Sequence, residues 1–64
     1  MPSEIEYCYH FRDGSAVLVK SYVNNVWAAK KAMLKMYGRD ESEIRYSDSG
    51  KNGPHQVFDG RDYH

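Results

Sequence analysis

The sequence predicts one small α+β domain: a β-hairpin, then a helix, then further strand, in the order ββαβ or ββαββ. Three observations carry this. Residues 4–11 alternate polar and apolar at a period of two. Asp13-Gly14 lies between two strand-like runs. Residues 26–37 are rich in helix formers and stop at a glycine. Period two marks a half-buried strand, and a run of helix formers closed by glycine marks a helix.

In the first strand Ile5, Tyr7, Tyr9 and Phe11 alternate with Glu4, Glu6, Cys8 and His10. Asp13-Gly14 is a strong hairpin signal, and the β-branched run Ala16–Val23 supplies the second strand. Loop length sets which faces meet. A three-residue loop, Arg12-Asp13-Gly14, with Gly14 left-handed in a bulge, places Val17 and Val19 beside Tyr9 and Tyr7. That register gathers Ile5, Tyr7, Tyr9, Phe11, Val17, Val19 and Val23 on one face. A one-residue slip would scatter them, so burial favours the bulged turn.

Asn24 or Asn25 is the expected N-cap of the helix, with its side-chain oxygen accepting orphan amides. Gly38 is the expected left-handed stop. Residues 43–48 read as a third strand with Ile44 and Tyr46 on one face. Residues 49–54 are turn chemistry. Residues 55–58 are either a fourth strand or a segment packed across the sheet edge. The expected sheet is antiparallel, of three strands or four, with one helix on it. Residues 1–64 form a single domain, and 60–64 are expected to fray.

Sixty-four residues bury only about 60% of the surface their unfolded chain exposes, which leaves a marginal core. Cys8 is the only cysteine, so the chain has no internal disulfide, and a lone cysteine fits a reducing, cytoplasmic setting. Met1-Pro2-Ser3-Glu4 lacks a signal-peptide pattern. No apolar run is longer than Ala16–Val19, far too short for a membrane span, so no membrane partner is expected.

Nine basic residues balance nine acidic ones, so the whole chain has no strong attraction for polyanions. Residues 14–39 nevertheless contain no acid, and Lys20, Lys30, Lys31, Lys35 and Arg39 all fall there.

At 100° per residue, Val26, Ala29, Met33, Met36 and Tyr37 form a broad apolar stripe, with Trp27 and Leu34 on its shoulder. The plain reading makes all of them core, with Lys30 snorkelling past along its methylenes. The sharper reading is that a small sheet cannot cover so wide an arc, which leaves Trp27 and Leu34 on a lysine-rimmed binding surface. The opposite sheet face would carry Cys8, His10, Ala16, Leu18, Lys20 and Tyr22, with nothing left in the sequence to cover it.

Cys8 and His10 are a C-x-H pair on one strand face. Zinc sites usually pair such ligands with a second set downstream, and only one cysteine exists, so no metal or other cofactor is expected. Asp13, Asp40, Glu41 and Glu43 read as solvated turn charges. No carboxylate pair sits in an apolar setting suited to acid–base work, and residues 49–53 lack the spacing of a phosphate loop. The chain is therefore not expected to be an enzyme.

Element order and size are similar to those of several small phage proteins that inhibit host machinery, including inhibitors of bacterial RNA polymerase and some anti-CRISPR proteins. No residues match, so the resemblance implies only a stand-alone binding protein, phage or mobile-element encoded.

The sequence therefore leads to a non-enzymatic protein-binding module, an adaptor or inhibitor of a larger protein. Its candidate patches are Trp27, Lys30, Lys31 and Leu34 on the helix, and His10, Leu18, Lys20 and Tyr22 on the sheet. A nucleic-acid-binding domain using Lys20, Lys30, Lys31, Lys35 and Arg39 is the alternative. A homodimeric structural protein is third.

Overall fold

A computed structural model describes residues 3–49 and 56–62. Its elements are β1 (Glu4–Phe11), β2 (Ala16–Tyr22), α1 (Val26–Tyr37), β3 (Ile44–Asp48) and β4 (Gln56–Asp59), with short 3-10 turns at Val23–Asn25 and Glu41–Glu43. The class is α+β, one helix on a four-stranded sheet of order β3-β1-β2-β4. The sheet is mixed rather than antiparallel: β1 is antiparallel to β2 and β3, but β4 joins β2 in parallel. His55 and residues 50–54, which belong to the expected fourth strand and turn, lie outside the described residues.

The hairpin takes the bulged register. Tyr7 pairs with Val19 and Tyr9 with Val17. The Gly14 amide donates to the Phe11 carbonyl at 3.1 Å, and Gly14 has φ +93°, a conformation that suits a residue without Cβ. This register carries Tyr9, Phe11, Val17 and Val19 into the main core, where they meet Ala29, Met33, Leu34 and Phe58, with Tyr7, Ala32, Tyr37 and Ile44 packed around them.

Three sequence expectations for the helix region fail locally. Val23 enters a 3-10 turn and is exposed. Neither Asn24 nor Asn25 caps with its side chain, because that turn leads directly into α1. Met36 leaves the apolar stripe and is 68% exposed. The arc that faces the sheet is centred on Ala29, Met33 and Leu34, and Met36 falls beyond one edge of it. Gly38 closes α1 in the left-handed conformation, as expected.

Two further differences set the geometry of the sheet. Ile44 and Tyr46 do not share a face: Phe11 pairs with Ile44 while His10 pairs with Tyr46, a bulge in which Arg45 is the extra residue. Ile44 thereby packs on the core, and Tyr46 and Asp48 turn to the other side. In the tail expected to fray, Gly60 and Arg61 are held, while residues 63–64 lie outside the described residues. The Gly60 amide donates to the Lys20 carbonyl at 2.7 Å. The Arg61 guanidinium donates to both Asp59 carboxylate oxygens and to Glu4 Oε1, which ties β4 to the start of β1.

Candidate functional site

The two patches expected from the sequence fare differently. On α1, Trp27 is 67% exposed and Leu34 only 7%. They lie close in helical angle, yet Leu34 points far enough toward the sheet to join the core. The exposure expected for Leu34 is therefore not found, and Trp27 is the apolar residue this surface offers. The Lys31 ammonium sits over the Trp27 ring, 4.3 Å from its centroid, within cation–π range. An open groove of about 420 Å³ runs beside them, lined by Trp27, Lys31, Leu34, Lys35, Arg39 and Glu41.

The acidic residues around this groove are engaged rather than merely solvated. Lys30, half-buried, pairs with Glu41. Asp40 accepts from the Ser42 amide and hydroxyl, and its own amide donates to Glu43, which caps the Glu41–Glu43 turn. Hydrogen bonds from Ser42 hold the Asp40 carboxyl below its ordinary value. Arg39 reaches back to Asp13 at 2.9 Å and lies over the Phe11 ring at 4.3 Å, so it ties the helix end to the hairpin turn. Asp13 is held far below the usual carboxylate range, first by the Ser15 hydroxyl and amide and then by Arg39.

The five basic residues of the alternative site do not form one strip. Lys30, Lys31, Lys35 and Arg39 border the groove. Lys20 pairs with Glu6 and Asp59 in register, which places it on the sheet face away from α1. Lys30 and Arg39 are already matched by Glu41 and Asp13.

On that second sheet face Leu18 is 4% exposed and forms a small core with Cys8 and Ala16. The expectation of an uncovered patch at Leu18 is overturned. β1 and β2 are the central strands, and β3 and β4 flank them with Tyr46 and Asp48 on one side and Val57 on the other. His10, Lys20 and Tyr22 remain half-buried.

The bulge in β3 assembles a polar cluster on this face that sequence spacing could not reveal. Asp48 lies opposite Cys8, and the ligand atoms of Cys8, His10 and Asp48 all fall within 4.8 Å of one another. His10 Nε2 is 3.3 Å from Asp48 Oδ2, and Nε2 is buried without a hydrogen bond. The imidazole stacks on Tyr46, with centroids 4.3 Å apart and planes 11° from parallel. Burial pushes the Cys8 thiol above its ordinary value, and the Asp48 carboxylate adds to the shift. A nucleophilic cysteine needs the opposite shift.

Among the described residues, no helix is long and apolar enough to cross a membrane. No family model, curated protein or solved structure matches the chain.

Proposed function

We propose that this chain is a non-enzymatic protein-binding module that engages a larger protein through the α1 surface around Trp27. One observation carries the reading: a tryptophan 67% exposed at the mouth of a groove, where the other large aromatic groups among the described residues mostly pack inward. Exposed tryptophan is costly in water and is the residue type most enriched among energetic anchors of protein interfaces. Lys31, stacked on the indole, limits the ring's freedom before binding and so lowers the entropic cost of docking. Among the described residues Lys31 and Lys35 make no ion pair, which favours a partner with an apolar pocket for the indole and carboxylates beside it.

The nucleic-acid alternative has less support. Lys20 is on the far face, Lys30 and Arg39 already hold acidic partners, and the net charge is zero.

The test is affinity capture from nuclease-treated lysate with the intact chain, with Trp27→Ala, and with Met36→Ala as a control on the opposite side of the helix. A stoichiometric protein retained by the intact chain and the Met36 variant, but lost with Trp27→Ala, is the expected result. Equal recovery with the Trp27 variant would overturn the reading, as would retention that depends on nucleic acid. Both substitutions are at exposed positions and should change stability by no more than about 0.5 kcal/mol.

A further inference from the structure

We propose that Cys8, His10 and Asp48 form a binding site for one zinc ion, or a divalent metal of similar borderline character. The inference is independent of the docking surface on α1, which lies across the sheet from it.

Three donor types meet there: a thiol sulfur, an imidazole nitrogen and a carboxylate oxygen, all within 4.8 Å of one another. Sulfur and imidazole donors suit zinc, and carboxylate is its third common ligand. Spacing agrees with that chemistry. Two N/O ligands at about 2.05 Å from a tetrahedral ion stand about 3.3 Å apart, and His10 Nε2 and Asp48 Oδ2 are 3.3 Å apart. Nε2 is buried and has no hydrogen-bond partner. A buried imidazole nitrogen without a hydrogen bond is costly, and a metal ion placed between the two groups would give Nε2 a partner.

Charge also balances. A thiolate and a carboxylate together neutralise a divalent cation, and the imidazole binds as a neutral donor. Cys8 would bind as its thiolate, its proton passing to solvent.

The fold positions these ligands in advance. Cys8 and His10 are two apart on β1 and share a face, and the Arg45 bulge turns Asp48 onto that face. Bulges commonly re-aim side chains in this way. Tyr46, stacked on the imidazole, fixes the ring plane as outer-shell groups do around metal ligands. Three protein ligands leave one position for water or another donor.

Cobalt titration of the chelator-treated, reduced protein tests the proposal. Cys8 is the only cysteine, so a thiolate-to-cobalt charge-transfer band reports this site alone. The expected result is that band together with tetrahedral visible bands, saturating at one metal per chain and displaced by zinc. Cys8→Ser should abolish the charge-transfer band. Asp48→Asn and His10→Gln should each weaken binding at least tenfold. These two variants replace partly exposed polar groups, and an unchanged amide spectrum would establish that they remain folded. The proposal is overturned if no charge-transfer band forms, or if affinity is the same in folded Asp48→Asn and His10→Gln. One metal per two chains, held through Cys8 without Asp48, would also overturn it.

Discussion

A methyl group at residue 60 would lie 2.7 Å from the Ala29 Cβ and 3.1 Å from the Lys20 carbonyl oxygen. Both obstacles belong to packed elements, so Gly60→Ala must push α1 from the sheet or break the bond to Lys20. Overpacking of this kind costs about 1–3 kcal/mol. Gly14→Ala meets nothing within 4 Å and carries only the backbone strain of a positive φ, about 1 kcal/mol. Urea denaturation should therefore rank Gly60→Ala as the more damaging; the reverse order would mean that α1 yields easily at Ala29. Nothing in the local sequence marks Gly60 as a contact, since Asp59-Gly60-Arg61 reads as loop. Gly14 was legible because its turn chemistry is local. Trp27 and Leu34 show the same divide: helical angle placed them together, and only the position of the sheet determined that one is core. Leu34→Ala should cost about 2–5 kcal/mol, so Trp27→Ala alone can probe the surface without unfolding the domain.

Among the elements, the hairpin was readable in full register because a slip would have scattered its aromatic face. β3 was readable as a strand but not in its facing. A bulge is a mismatch of two residues against one on the partner, and nothing within residues 44–48 specifies it. Its cause is tertiary: Ile44 completes the core beside Phe11, while Tyr46 stacks on His10 across the opposite face. The Cys8, His10 and Asp48 cluster was hidden for that reason, since its third member comes from a strand whose facing could not be read. In α1 the start is the weak end. No acidic residue occupies the first turn, and no side chain caps it. Ala28→Glu adds a negative charge near the positive end of the helix dipole and a partner for Lys31 three residues on. The expected gain is about 0.5 kcal/mol, seen as a higher thermal midpoint at low salt that shrinks when salt is added. An unchanged midpoint would mean that the preceding 3-10 turn already satisfies those amides.

For the whole molecule, surface ion pairs join parts that are distant in sequence. Asp13 with Arg39 links hairpin turn to helix end. Asp59 with Arg61, and Arg61 with Glu4, links β4 to β1. The carboxyls of Asp13, Asp40 and Asp59 are all held below the ordinary value, Asp59 chiefly by hydrogen bonds from Arg61. The unfolded chain takes up protons on these groups near pH 4, before the folded chain does. Stability should hold from neutral pH to about pH 5 and fall as pH drops through about 4 toward the folded values. All three groups are exposed and screened, so the decline should be shallow and weaker in high salt. Urea midpoints measured across this range check the sign, and Asp59→Asn should flatten the curve. A midpoint that rises on acidification would contradict it. The α+β class was legible because hydrophobic periods report burial. The parallel pairing of β4 was not, because four residues of strand carry no signal of direction.

That pairing also imposes an order in time. β2 lies in the middle of the finished sheet, yet its neighbour on one side is made after every other strand of that sheet. Until Gln56–Asp59 emerge, the hairpin and helix can assemble, but one row of β2 amide and carbonyl groups stays uncovered, an open template for another chain. A ribosome stalled after β3, or a protease cut between β3 and β4, thus yields an adhesive fragment rather than a smaller stable domain. Synthesis through Gly60, more than formation of the hairpin, is the event that seals the fold.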